Sequence, residues 1–194
     1  LDIKPDYTEA YGNLGAAFKE VGEIDEALSH YHKALAINPD YAEAHNNLGL
    51  ALHELGRPHD ALVHYHKAIQ IKPDYAEVYF NLGISLKELG RLDEAMDHYY
   101  KSLAIKPNVA EVNNNLGYVL KKLGRLDDAV VSYHKALVYQ PEYAEAHNNL
   151  GNALQELGRL DEAIVHFQKS IDIKPDLAEA YSNLGNAFKE LGWL

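Results

Sequence analysis

Residues 42–75 read AEAHNNLGLALHELGRPHDALVHYHKAIQIKPDY, and residues 76–109 read AEVYFNLGISLKELGRLDEAMDHYYKSLAIKPNV. Laid over one another, the two stretches keep the same residues at the same places: Leu48 with Leu82, Gly49 with Gly83, Gly56 with Gly90, Ala61 with Ala95, and Pro73 with Pro107. The register extends in both directions. Six of the seven prolines, Pro5, Pro39, Pro73, Pro107, Pro141 and Pro175, stand 34 residues apart. A fixed period of this length outranks any local motif, because it describes a stack in which each unit buries its apolar face against its neighbours rather than in one closed core. Function is then expected on the surface that the stack creates.

Aligned on the prolines, the units run 8–41, 42–75, 76–109, 110–143 and 144–177, with half a unit at 178–194 and residues 1–7 matching the tail of a preceding unit. The first residue is Leu1, and no signal peptide is visible, so the chain reads as a piece of a longer array with a cytoplasmic setting expected. Within a unit the apolar spacing is helical. Tyr11, Leu14, Phe18 and Val21 fall at i, i+3, i+7 and i+10, as do Tyr79, Leu82, Leu86 and Leu89. These define a helix A. A glycine follows it in every unit (Gly22, Gly56, Gly90, Gly124, Gly158, Gly192), where a helix ends most easily in a left-handed residue. A second apolar series, such as Ala129, Val130, Tyr133, Ala136 and Leu137, defines a helix B that the proline stops.

Asp-x-x-Glu after the proline (Asp6 with Glu9, Asp40 with Glu43, Asp74 with Glu77, Asp176 with Glu179) predicts a capping box at the start of each helix A. Asn108 with Glu111 is an acceptable variant. Glu142 with Glu145 is a poorer one, which predicts a fifth unit starting less firmly by roughly 0.5–1 kcal/mol. Pro58, out of phase with the others, fits the first turn of a helix B. Glycine inside helix A (Gly15, Gly49, Gly83, Gly117, Gly151, Gly185) costs about 1 kcal/mol against alanine. Close approach of helix B, through Ala27, Ala61, Ala95, Ala129 and Ala163, is the expected compensation.

The pattern aromatic-x2-Leu-Gly-x2-aromatic or Leu, then Ala-x3-Tyr or Phe, then Pro, is carried in the first unit by Tyr11, Leu14, Gly15, Phe18, Ala27, Tyr31, Ala34 and Pro39. It resembles the tetratricopeptide repeat over essentially the whole chain. The resemblance implies an all-α fold, antiparallel helix pairs wound into a right-handed superhelix. It also implies a concave face, lined by A helices, that binds extended peptides or partner helices, and a scaffold rather than a catalyst. The position that favours Trp in the family holds Tyr11, His45, Tyr79, Asn113, His147 and Tyr181, and Asn113 marks the start of the fourth unit as a candidate soft spot. Ser102 and Ser170 replace a small Ala. The Asn-Leu-Gly core and Ala-Glu-Ala starts look most like the repeats of O-linked N-acetylglucosamine transferases and related bacterial proteins, which adds the substrate-recognition arm of such an enzyme as an alternative function. No nucleophile-base constellation or phosphate loop is present to suggest an autonomous enzyme, and no cofactor is expected.

On helix A, one stripe repeats Glu, Asn, a variable residue, then mostly Glu. The Asn recurs in all six A helices: Asn13, Asn47, Asn81, Asn115, Asn149 and Asn183. As a mediocre helix former it needs a reason. Two are open and compatible: an amide ladder that reads a peptide backbone, or an inter-repeat hydrogen bond that sets the stacking register. The variable positions hold Ala16, Leu50, Ile84, Tyr118, Asn152 and Asn186, and nearby Gly12, Asn46, Phe80, Asn114, Asn148 and Ser182. Leu50, Phe80, Ile84 and Tyr118 predict an apolar patch between polar ends, either an anchor for a partner or contacts between adjacent A helices. The peptide-binding set is thus the six recurring asparagines with Leu50, Phe80, Ile84, Tyr118, Asn114, Asn148 and Asn152. The matching positions lack the Lys or Arg of a carboxylate clamp, and the Glu stripe suggests a neutral or basic ligand rather than an acidic one.

The chain is acidic, with a net charge of −11, and has no cysteine. Such a surface repels phosphate backbones, and no apolar run approaches the roughly 18–20 residues that span a bilayer, so neither nucleic acid nor membrane is an expected partner. Of eleven histidines, His30, His64, His98 and His166 share one helix B position and His32, His66 and His134 another. Neighbours two apart on a helix diverge by roughly 200°, so no chelating set is expected within a helix. The histidines are predicted to be solvated, with protonation in mild acid bringing the charge towards zero and favouring association. End-to-end self-association is a further expectation, with Leu1, Ile3 and Tyr7 docking on the uncovered face of Leu184, Phe188 and Leu191.

Overall fold

The computed structural model describes residues 7–192, and all of its regular structure there is helical. Pro5, Asp6 and the expected docking residues Leu1 and Ile3 lie outside the described residues. Residues 1–105 and 106–194 form two compact units. The first holds α1 (Tyr7–Glu20), α2 (Ile24–Ile37), α3 (Ala42–Glu54), α4 (Pro58–Ile71), α5 (Ala76–Glu88) and α6 (Leu92–Ile105). The second holds α7 (Ala110–Lys122), α8 (Leu126–Tyr139), α9 (Ala144–Glu156), α10 (Leu160–Ile173) and α11 (Ala178–Glu190). Odd-numbered helices are the A helices and even-numbered ones the B helices. The fold class is all-α, the α–α superhelix of antiparallel pairs. In the first unit α1, α3 and α5 contact in order, and in the second α7, α9 and α11 do, so each unit presents a row of A helices.

The glycine after helix A adopts a left-handed conformation at all six positions, with φ between 71° and 82°. Around Gly56 the hydrogen bonds are those of a Schellman motif: the Arg57 amide donates to the Leu52 carbonyl at 3.0 Å and the Gly56 amide to His53 at 2.9 Å. Pro58 stands at the first position of α4, as its sequence context predicts.

The capping boxes do not form. The residues that flank the A helices are Tyr41, Tyr75, Val109, Tyr143 and Leu177, none with a side-chain cap hydrogen bond. Asp40 sits one residue too early, inside a turn that Pro39 nucleates and that the Tyr41 amide closes on the Asn38 carbonyl at 3.3 Å. Its own amide donates to Asn38 Oδ1 at 3.1 Å. Because no A helix with a described start uses the Asp, Glu142 gives the fifth repeat no weaker start.

The glycines inside helix A do admit helix B, but through its aromatic residue rather than its alanine. A Cβ on Gly49 would stand 2.6 Å from Tyr65 Cε1, on Gly117 2.7 Å from Tyr133 Cε1, and on Gly151 2.5 Å from Phe167 Cε1. Tyr31, Tyr99, Tyr133 and Phe167 are wholly buried and Tyr65 nearly so. Burying such a ring is worth about 2–3 kcal/mol, more than the roughly 1 kcal/mol that glycine costs the helix. Ala27, Ala61, Ala95, Ala129 and Ala163 are buried beside this contact. Ser102 and Ser170 keep the small-residue position by donating across the pair, Ser102 Oγ to the Ala76 carbonyl at 2.9 Å and Ser170 Oγ to Ala144 at 2.8 Å.

Candidate functional site

In the first unit the row of A helices is tied by side chains 35 residues apart. Asn81 Nδ2 donates to Asn46 Oδ1 at 3.0 Å, and Asn46 Nδ2 reaches Glu77 Oε1 at 3.3 Å and Asn47 Oδ1 at 3.5 Å. Asn46 is almost fully buried, and a buried amide demands such partners. A second row runs near the helix C-termini: Lys19 Nζ lies 2.7 Å from Glu54 Oε1, and His53 Nε2 2.8 Å from Glu88 Oε2. Between these ties stand Leu50, Phe80 and Ile84, all half-buried. The Phe80 ring is 6.0 Å from that of Tyr99. Asn13 is exposed; at the place that Asn46 holds in α3, α1 has Gly12, and the Tyr41 ring occupies the space, 3.0 Å from a would-be Cβ.

The second unit repeats the tie without interruption. Asn149 Nδ2 donates to Asn114 Oδ1 at 3.1 Å and Asn183 Nδ2 to Asn148 Oδ1 at 2.9 Å. Asn114 Nδ2 also lies 3.5 Å from the Tyr143 hydroxyl, whose pKa is raised first by burial and then by Glu111 and Glu145. Asn115 Nδ2 donates to the Glu111 carbonyl at 3.0 Å, and Asn152 is half-buried. Tyr118 is 37% exposed, with Lys122 Nζ 5.6 Å from its ring centre. Asn113, expected to be a soft spot, is buried with its amide on the Val109 carbonyl at 2.8 Å, so its polarity is satisfied.

The Glu stripe is compensated in part, which sequence spacing did not reveal. Besides Glu54 and Glu88, Glu156 meets Lys121 at 2.6 Å and Glu190 meets Gln155 at 2.5 Å. At the other end of the A helices, Glu43 lies 3.5 Å from Lys72 and Glu145 3.0 Å from Lys174. Each exposed pair contributes only about 0–1 kcal/mol, and the lysines offset the charge of Glu43, Glu54, Glu145 and Glu156 alone, so the stripe keeps part of its anionic character.

The histidines depart furthest from expectation. His30, His64, His98 and His166 are not solvated; each packs against the residue at the Trp-favouring position of its own helix A. The His98 ring stacks on Tyr79 at 5.9 Å, and His30 lies 5.9 Å from Tyr11. Where that position is also His, the rings bond directly: His45 Nδ1 and His64 Nδ1 are 3.1 Å apart, His147 Nδ1 and His166 Nδ1 2.9 Å. Burial is the main cause that pushes His64, His98 and His166 down to about 4, with neighbouring cations or imidazoles adding to it, and it lowers His45 and His147 as well. With His64, His98 and His166 pushed down to about 4, three of the eleven rings stay neutral at pH 5.5, so fewer rings than expected are left to offset the charge of −11 in mild acid. The signal in the sequence was the pairing of His45 with His64 across two helices, which comparison within helix B alone misses. Among the described residues, no group of three or more His, Cys, Asp or Glu side chains is gathered to hold a metal, and no helix is long and apolar enough to cross a membrane.

Helix pairs at a 34-residue period, glycine-seated aromatics and rows of tied A helices define a helical-repeat solenoid. Its family follows from comparison. A family model described as TPR repeat matches residues 17–56, 117–158 and 151–192, and two described as tetratricopeptide repeat match 40–108 and 98–131, so the chain belongs to the tetratricopeptide repeat family. No curated protein matches the sequence. Solved structures do. The chain is similar to a crystal structure of MamA protein at 27% identity, over 89% of this chain and 94% of that one, with a TM-score of 0.77. It is similar to PilW, described as a widely conserved type IV pilus biogenesis factor, at 25% identity over 95% and 86% of the two chains, TM-score 0.86. The fold is also that of YrrB, described as a TPR protein with an unusual peptide-binding site, at 24% identity over 89% of each chain, TM-score 0.76.

Proposed function

We propose that the chain is a protein-interaction scaffold whose A-helix rows bind an extended peptide or partner segment. The observation that supports this most is the division of labour along the row. The recurring Asn81, Asn149 and Asn183 are each tied to an asparagine of the preceding A helix, Asn46, Asn114 or Asn148, whereas Leu50, Phe80, Ile84 and Tyr118, at positions that vary between repeats, stand beside the ties only half-buried or exposed. A rung uses one amide donor of Asn81, Asn149 or Asn183. Asn81 is buried, but the carbonyl oxygen and second N–H of the half-buried Asn149 and Asn183 are then available to a peptide backbone, so the same side chain serves register and recognition. Asn13, Asn47 and Asn115 extend this set, and Asn114, Asn148 and Asn152 flank it. Half-buried apolar side chains beside satisfied amides would give the affinity, since small apolar and aromatic anchors carry most binding energy at such surfaces. With the Glu stripe compensated only in part, the preference for a neutral or basic partner rests on its remaining carboxylates and on the net charge of −11, which steers cationic ligands in and acidic ones away.

Selection from a random peptide library against the whole chain tests the reading. Enrichment of a peptide whose affinity falls with Phe80→Ala in the first unit or Tyr118→Ala in the second, while the melting temperature holds, is the expected outcome. Failure to enrich any sequence, or affinity indifferent to both substitutions, would sink it.

A further inference from the structure

We propose that the two cross-helix histidine pairs, His45 with His64 and His147 with His166, are two equivalent binding sites for a divalent cation of the zinc type. The geometry of each pair is unusual in one respect: both rings turn the same nitrogen, Nδ1, towards each other, at 3.1 and 2.9 Å. Two imidazole nitrogens on one tetrahedral ion, with bonds near 2.0–2.1 Å, stand roughly 3.0–3.4 Å apart, so the nitrogens need to part by only a few tenths of an ångström while each ring turns by roughly 35° to aim its lone pair at the ion rather than at the other ring. The orientation is held from behind. His45 Nε2 is 3.0 Å from the Pro39 carbonyl and His147 Nε2 3.1 Å from Pro141, and a carbonyl accepts only. Nε2 therefore carries the proton, and Nδ1 presents a lone pair in the manner of a metal ligand braced by a backbone oxygen.

Access is provided in both copies. His45 and His64 line a surface recess of about 510 Å³ with Val63, Lys67 and Gln70, and His147 and His166 line one of about 460 Å³ with Val165, Lys169 and Asp172. Lys67 and Lys169 oppose a cation there. Asp40, 3.5 Å from Lys67, offsets the first, and Asp172 stands on the rim of the second recess. In the empty pair one proton lies between the rings, donated by His64 Nδ1 to His45 Nδ1. When the ion takes both Nδ1 lone pairs, that proton leaves Nδ1 and one is taken up at His64 Nε2. Both rings stay neutral and no net proton is released; His166 behaves likewise. Water fills the remaining positions on the ion, which suits imidazole-binding metals such as zinc. The other B-helix histidines of this position serve as internal controls: His30 faces Tyr11 and His98 faces Tyr79, so at neither does helix A supply the second imidazole.

Titration of the whole chain with Zn²⁺, in competition with a chromogenic chelator, should show two ions bound per chain. The substitutions His45→Tyr and His147→Tyr place at each site the residue that Tyr11, Tyr79 and Tyr181 already hold at this position, so the fold is retained, as a melting curve checks. Each single variant should lose one ion, by an affinity drop of more than about tenfold, and the double variant both. His59→Gln, on an exposed residue, should change nothing. Undiminished binding in a folded double variant, meaning adventitious surface histidines only, or no saturable binding in the unmodified chain, overturns the proposal.

Discussion

The two units build their A-helix rows from the same repeat yet finish them differently. In the second, Asn149 bonds to Asn114 and Asn183 to Asn148, and the variable positions of α9 and α11 are Asn152 and Asn186. In the first, a single amide rung joins Asn81 to Asn46, Gly12 stands where a partner for Asn47 would be, and the variable positions of α3 and α5 are Leu50 and Ile84. But for Tyr118, the second row is polar and tied through; the first is apolar and tied once. The difference teaches that repetition fixes the scaffold while the departures from it set the chemistry of the face.

Gly83→Leu should have the largest effect and strike the first unit. The new side chain would enter the space of the buried Tyr99 ring, whose Cδ1 lies 2.7 Å from a would-be Cβ, at a cost of roughly 3–5 kcal/mol. An unchanged circular-dichroism melt would defeat the packing account. Next comes Asn148→Ala in the second unit, which strips the acceptor from Asn183 and empties a site only 2% exposed; a loss of about 1–3 kcal/mol is expected from chemical denaturation. If that loss is no larger than the one for Asn13→Ala in the first unit, where the side chain is exposed and about 0.5 kcal/mol or less is expected, the rungs contribute nothing to stability. Gly185→Ala reverses the sign of the glycine effect. Nothing stands within 4 Å of a Cβ there, so the helix should gain up to about 1 kcal/mol. A loss at this site would show that glycine serves some purpose besides seating an aromatic ring.

Much of this was legible in the sequence because the period is strict. Helix pairs, their glycine ends and the proline after each helix B follow from local rules that every repeat obeys. What escaped were contacts whose partner lies in another helix. Asp40 looks like a cap until the turn begun by Pro39 is seen to place Tyr41 at the helix start. Gly49 looks like a seat for Ala61 until the Tyr65 ring is found there. His64 looks solvated on its own helix and is half-buried against His45. The Glu stripe shows its sign in the sequence, but Lys19, Lys121 and Gln155 neutralise it or bond to it only through the stacking of one A helix on the next. The recurring asparagine fits either a rung or a ligand contact from the sequence alone. The rung is present at Asn81, Asn149 and Asn183, and the ligand contact is for binding experiments to decide.

The central claim, that departures from the repeat rather than the repeat itself give the face its affinity, is tested most directly by comparing the units with one selected peptide. Its dissociation constant would be measured for the chain carrying Leu50→Ala, Phe80→Ala and Ile84→Ala, and for the chain carrying Asn152→Ala and Asn186→Ala. The account predicts at least about a tenfold loss for the first, some 1.4 kcal/mol, and less than about threefold for the second, with melting temperatures close to the parent in both. Equal losses, or a larger loss in the second unit, would contradict it.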